Sequence, residues 1–245
     1  GLALLASLAA AAMAGVLIEI LIIRRLYKRD HLDQVLATFA LILLLSEGVR
    51  WSFGAFPLYL NIPNSLGGSV LLPFEIIYSK YRMFIILVGI SIAIGLYFLI
   101  SKTRLGIRIR AGQNDRQMIS ALGVDISKLY TIVFAIGAAL AGLAGAMIGA
   151  IQSVEVGMGE PILILAFVVI VIGGIGSIKG AFIGSILVGV TDTIGRVFLP
   201  NLLKIFMDTS NATSMGSSIG SMLIYILMAL ILIIKPSGLF GINEK

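Results

Sequence analysis

Long apolar runs separated by short polar breaks extend from one end of this chain to the other. Seven of them predict membrane-spanning helices, at about Leu2–Ile23, Leu32–Val49, Met83–Ile100, Leu129–Ile151, Ile162–Ile172, Ala181–Leu199 and Ile219–Ile234. Most approach the ~20 helical residues needed to cross a hydrocarbon core of about 30 Å. The fifth run has only eleven residues before Gly173-Gly174, which predicts a broken or tilted helix. Residues 50–80 form a long connection in which Pro57, Asn61, Pro63, Asn64, Gly67, Gly68 and Pro73 signal turns. The predicted fold is all-α, a polytopic transmembrane helical bundle of about seven spans, with residues 1–245 as a single transmembrane domain.

One break differs from the rest. Residues 101–128 hold six of the eighteen basic residues: Lys102, Arg104, Arg108, Arg110, Arg116 and Lys128. A basic segment between two spans belongs on the cytoplasmic side. With this loop inside and seven spans alternating, Arg24–Arg29, the loop at Lys179 and the tail from Lys235 are also inside. Thirteen of the eighteen basic residues then lie inside, and Arg50, Lys80, Arg82, Arg196 and Lys204 lie outside. The amino terminus starts outside and the carboxyl terminus ends inside. The middle of the loop, Asn114 to Leu122, reads as a short helix. Apolar Met118, Ile119, Ala121 and Leu122 interrupt its polar residues and need a cover, either lipid headgroups or protein. Gly123 is placed to end this helix in the left-handed conformation, and Asp125 to start the next.

Composition agrees with this pattern. The chain is 59% hydrophobic and 12% charged, with a mean hydropathy of +1.08, which excludes an ordinary soluble domain. The formal net charge of +6 reflects membrane orientation, not nucleic-acid binding. Cysteine is absent and His31 is the single histidine, so disulfides, thiolate chemistry and a histidine-based metal site are excluded. No cofactor is expected. The chain opens with Gly1 inside an apolar run, so either Met was removed or upstream sequence is missing.

Small residues mark helix contacts. Gly137, Ala141, Gly145 and Gly149 recur every four residues, beside the row Ala138, Gly142, Ala146 and Ala150. Gly176, Gly180 and Gly184 repeat the spacing. Close packing of another helix explains these rows better than a pore lining. The turn Gly173–Gly180 reads as a tight reversal near the cytoplasmic interface, marked by Lys179. The alternative is a break beside the substrate route, where free backbone groups bind a polar ligand. Its Gly174-Ile175-Gly176-Ser177-Ile178-Lys179-Gly180 lacks the Gly before Lys and the Ser or Thr after it that a phosphate loop requires. Glu19 and Asp192 fall inside apolar spans, where a carboxylate costs roughly 3 kcal/mol on insertion scales. Glu19 is about one turn from Arg24, which predicts a paired or snorkelling charge. Asp192 has Arg196 at i+4, the favourable order for a helical pair. Thr191, Asp192 and Thr193 are the most polar cluster in any span, and so the candidates for lining a path.

The stretch Arg110-Ala111-Gly112-Gln113-Asn114-Asp115, continuing through Leu122-Gly123-Val124-Asp125, resembles the cytoplasmic loop of branched-chain amino acid ABC permeases. Gly173, Gly174, Gly176, Ser177 and Gly180 resemble the glycine-rich signature of that family. Arg24-Arg25-Leu26-Tyr27, Ala37-Thr38 and the tail Lys235-Pro236-Ser237-Gly238-Leu239-Phe240-Gly241 also match, and resemble the LivH-type subunit more than its LivM-type partner. The resemblance covers essentially the whole chain. It implies a multi-pass permease subunit of a bacterial inner-membrane importer, without catalytic residues of its own. ATPase subunits hydrolyse ATP on separate chains and grip Arg110, Ala111, Asn114, Asp115, Gly123 and Asp125. The other implied partners are a second permease subunit (LivM-like or a second copy) and a periplasmic or extracellular substrate-binding protein. The implied cargo is branched-chain amino acids or related small polar solutes such as other amino acids, amides or urea. Two departures stand out. Ile119 replaces the family's usual Ala in the coupling helix. The amino-terminal helix and the Asn-Phe-Ala-His-Gly-like segment that follows it in the family have no counterpart, so an upstream first helix is expected to be missing.

Rival classes predict different residues. An ion-coupled secondary transporter acting without an ATPase needs a mid-membrane carboxylate with a coupling role, and only Asp192 is available. A membrane enzyme needs clustered His, Cys or paired acids.

Overall fold

Nearly every apolar run becomes a helix of membrane-crossing length. The computed structural model describes residues 2–27, 29–64, 66–72, 76–174, 176–205 and 207–241. Gly1, Pro73 and Ile175, named above, lie outside the described residues, as do the side chains of His31, Gln113, Asn114 and Arg116. The chain divides into two units, Gly1–Met158 and Gly159–Lys245.

The first unit holds α1 (Leu2–Leu26), α2 (His31–Phe53), α3 (Lys80–Lys102), α4 (Arg104–Asn114), α5 (Arg116–Ala121) and α6 (Ile126–Ile148). At 23 residues, α3 and α6 each extend about 34 Å. The connection 50–80 is more than turns. β1 (Ser69–Leu72) and β2 (Ile76–Ser79) pair antiparallel, with Val70 opposite Tyr78 and Leu71 opposite Ile77.

α1 lies along α6, and small residues allow the approach. A methyl added at Gly15 would overlap the Ala138 Cβ, and one at Gly142 would overlap the Ala11 Cβ. The Ala138–Gly142 row is therefore the packed one. The neighbouring row does not act with it as one contact face: Gly137 and Gly145 face open space, and Gly149 packs on the Val154 side chain. The far end of α6 is tied twice more. The Tyr81 hydroxyl donates to the Met147 carbonyl at 2.9 Å. Leu58 and Val154 exchange backbone hydrogen bonds of 2.9 and 2.8 Å. The hairpin connection and the loop after α6 thus share one end of the unit, and the basic segment occupies the other. None of the apolar window of α2 is buried within the chain, as suits a helix whose side chains are solvated by lipid tails.

The second unit holds α7 (Gly159–Gly173), α8 (Ile178–Leu203) and α9 (Thr209–Ile234). Val168 and Ile172 of α7, Val188 of α8, and Ile224 and Ile231 of α9 form its core. α7 is longer than its eleven-residue apolar run, but its 15 residues reach only about 22 Å. α8 meets α7 through Gly180 and Gly184, where a Cβ at Gly184 would lie 2.9 Å from the Val169 carbonyl. Gly176, grouped with them by spacing, is instead an exposed turn residue. α9 begins ten residues before the run that predicts it. Its polar first half packs on α8, with Gly220 against the Gly195 backbone and Gly216 against Pro200.

Candidate functional site

The basic segment folds into two helices, not one. Thr103 caps α4 by accepting from the Gly106 amide at 3.2 Å. A Cβ at Gly106 would overlap the Ile100 backbone, so this glycine permits the sharp turn from α3. Arg110 donates from its guanidinium to the Ile100 carbonyl. Asn114 ends α4 and lies outside the short helix expected from Asn114 to Leu122, which is confined to Arg116–Ala121. Asp115 breaks the two helices apart. Its amide donates to the Ala111 carbonyl at 3.1 Å, and its carboxylate accepts from the Met118 amide at 3.0 Å.

Gly123 ends α5 at φ +81°, with Val124 donating to the Ile119 carbonyl at 3.3 Å and Gly123 to Ser120 at 3.0 Å. This is the left-handed glycine stop that its position predicted. Asp125 then caps α6, accepting from the Lys128 amide at 3.2 Å. That amide, together with the Lys128 ammonium, holds the Asp125 carboxyl below the usual carboxylate range. A depressed folded-state pKa adds stability above the unfolded value, and the contribution is lost as pH falls through the lowered one.

The internal bonds of Arg110, Asp115, Gly123 and Asp125 shape the segment, and they leave an apolar face outside it. Met118 is 59% exposed and Leu122 73%, whereas Ile119 is only 8% exposed. The residue that departs from the family pattern therefore points inward, away from this face.

The glycine-rich turn and the carboxyl-terminal tail form one structure. Leu239 donates to the Ile172 carbonyl at 2.8 Å and Phe240 to the Gly173 carbonyl at 3.0 Å. Gly174 sits at φ +96°, with Ser237 and Gly241 where a Cβ would stand. Ser177 caps α8 through the Gly180 amide at 3.0 Å, and Gly173 and Gly180 meet backbone to backbone. The turn carbonyls at Ile172 and Gly173 are occupied by the tail, which favours the reversal over a ligand-binding break. Sequence reading picked out both motifs but not their contact, which joins positions more than sixty residues apart.

In α8, Asp192 pairs with Arg196 at 2.7 Å, as the i+4 spacing predicted. Thr193 returns its hydroxyl to the Gly189 carbonyl at 2.8 Å, and Thr191 is half-buried. Sequence reading missed the serine-rich first half of α9, where Ser214, Ser217, Ser218 and Ser221 bond to carbonyls one turn back. Thr209-Ser210-Asn211 ahead of the apolar run was its available signal.

Six helices long and apolar enough to cross a membrane, with a shorter apolar seventh among the described residues, define a multi-pass helical membrane protein. The family model described as branched-chain amino acid transport system / permease component matches residues 1–232, and the chain belongs to that family. The probable branched-chain amino acid transport permease protein LivH of Methanocaldococcus jannaschii is 28% identical over 94% of this chain and 71% of its own length. The high-affinity permease protein BraD of Pseudomonas aeruginosa is 32% identical over 69% of this chain and 50% of its own. The corresponding LivH of Escherichia coli K12 is 30% identical over 62% and 44%. The chain thus spans about half the length of these bacterial relatives. All three are named as transport permease proteins, which places the chain among transport components rather than enzymes. No solved structure matched.

Proposed function

We propose that this chain is the permease subunit of an ATP-driven ABC importer in a bacterial inner membrane. Its cargo is branched-chain amino acids or related small polar solutes. It works with ABC ATPase subunits inside the cell, a second permease subunit (LivM-like or a second copy) and an external substrate-binding protein. The observation that carries the reading is the exposed apolar pair of Met118 on α5 and Leu122 just after it, held between the Asp115 cap and the Gly123 stop within a basic segment. An apolar face on so short a helix is a docking surface for a soluble partner. Asn114 and Ala111 serve this site by ending α4 correctly, and Arg110 and Asp115 by fixing the two helices' directions.

Two contacts support the orientation. Arg24 at the end of α1 bonds Thr131 at the start of α6 at 2.7 Å, so the Arg24 turn and the basic segment share one end of their unit. The tail at Lys235 and the loop at Lys179 share one end of the other unit through the Ile172–Leu239 and Gly173–Phe240 bonds. Both pairings join basic positions that charge alone assigns to the cytoplasm. Residues 101–128 are then the cytoplasmic coupling loop of a single permease domain, and Thr191, Asp192 and Thr193 lie along the path.

ATP-dependent uptake in vesicles tests the reading. Because the Asp192 carboxylate is spent on Arg196, Asp192→Asn changes ATP-driven leucine uptake by less than about threefold, the scale of an exposed pair worth under 1 kcal/mol. Uptake that survives ATP depletion but is abolished by Asp192→Asn contradicts the importer and restores the secondary transporter.

A further inference from the structure

We propose that Glu19, Arg24 and Thr131 form a positioning clamp that makes α1 follow α6 when a partner displaces α5. The proposal deepens the importer reading and rests on it.

Glu19 is the only charged residue among the described residues with no solvent exposure at all. It is held from two elements. Within α1, the Arg24 guanidinium lies 3.2 and 3.4 Å from its two carboxylate oxygens. From α6, the Thr131 hydroxyl lies 2.7 Å from Glu19 Oε2 and also 2.7 Å from the Arg24 guanidinium. The Ser127 carbonyl is 2.9 Å from the same hydroxyl. One Thr131 oxygen thus joins both members of the ion pair.

The helix is built irregularly to make this possible. In a regular α-helix, residues i and i+5 are rotated about 140° apart, because each residue advances ~100°. Residues Glu19–Ile23 instead form a π-helical turn, in which the Arg24 amide donates to the Glu19 carbonyl. The wider turn brings Arg24 back over Glu19. Such π insertions recur at functional positions, and this one lies where α1 meets α6.

Position supplies the role. Thr131 is less than two turns beyond the Asp125 cap that follows α5. Tyr27 and Tyr130 add an edge-to-face contact at 5.0 Å across the same two elements, and deeper in the membrane the helices are interlocked at Gly15 and Gly142. A displacement of α5 therefore reaches α6 at Asp125 and reaches α1 first through this clamp. Coupling between distant sites requires such a physically continuous link.

The test uses the complex isolated with its ATPase, reconstituted in liposomes. Radiolabelled leucine uptake and phosphate release are read in the same vesicles. Thr131→Val keeps the side chain's shape but removes the hydroxyl, so leucine carried per ATP hydrolysed falls roughly tenfold, within the range for coupling between sites. ATP hydrolysis itself is preserved, Thr131→Ser returns the ratio to the native value, and Glu19→Gln repeats the loss. An unchanged ratio in both Thr131→Val and Glu19→Gln overturns the clamp. So does a parallel fall of uptake and hydrolysis that Thr131→Ser fails to restore, since the bonds would then only hold the fold. Native vesicles with no ATP-driven uptake of leucine, other amino acids, amides or urea overturn the importer reading, and the clamp's role with it.

Discussion

Leu122→Glu is expected to abolish ATP-driven uptake while the purified protein remains folded. Leu122 is 73% exposed in the chain, so a glutamate there meets water and disturbs no core. Exposed substitutions away from caps and buried networks usually shift stability by under ~0.5 kcal/mol. Docked against an ATPase, the same carboxylate would be desolvated without a partner, at a cost of about 3 kcal/mol or more. That corresponds to a loss of roughly a hundredfold in association. Neighbouring Ile119 provides the contrast: being buried, it gives Ile119→Glu a folding defect before any docking defect. Vesicle uptake beside gel filtration in detergent distinguishes the two. Full uptake by a monodisperse Leu122→Glu protein would remove α5 as the docking face.

The second large effect is expected at the glycine latch. Gly174→Val should destabilise the second unit severely, with loss of monodisperse protein on purification. Two costs combine. A branched residue held at φ +96° costs of order 1–3 kcal/mol. Its Cβ would also overlap the Gly241 amide and stand 2.9 Å from the Ser237 carbonyl, and overpacking adds typically ~1–3 kcal/mol. Together they consume much of the roughly 5–15 kcal/mol that stabilises an ordinary domain. Gly189→Ala is the control, because nothing lies within 4 Å of its added methyl. Thermal unfolding in detergent compares them. Equal melting of the two variants would mean that the tail does not seat on the turn.

The long helices were legible because lipid imposes length and composition directly: Leu32–Val49 and Met83–Ile100 needed only counting. α4 was not legible. Ile107-Arg108-Ile109-Arg110 alternates like a half-buried strand, and Gly106 and Gly112 lower its helix propensity. The Thr103 cap and the bond from Arg110 to the Ile100 carbonyl help hold it helical, and both depend on where α3 ends. The β1–β2 hairpin escaped for a similar reason, since Val70-Leu71-Leu72 is too short to declare a period. At Asp125 and Gly123 the chemistry was local and legible. At Glu19 the partner in sequence was visible, but the pairing required a π turn that no spacing rule announces. Thr131 was invisible because its contact is tertiary. The glycine turn and the Lys235–Gly241 tail were each conspicuous, but their backbone contact exists only after α7 and α9 have packed.

The central claim is that α5 docks a separate ATP-hydrolysing chain, and the absence of native cysteine allows a direct test. Leu122→Cys creates the single thiol in the chain, which can carry a photoactivated cross-linker in native membranes. The expected result is a covalent adduct with an ATPase subunit from Leu122→Cys. No such adduct should form from Ile94→Cys, whose native side chain is 52% exposed midway along α3. Failure of Leu122→Cys to capture any ATPase, in membranes where that variant still supports ATP-driven uptake, would contradict the claim.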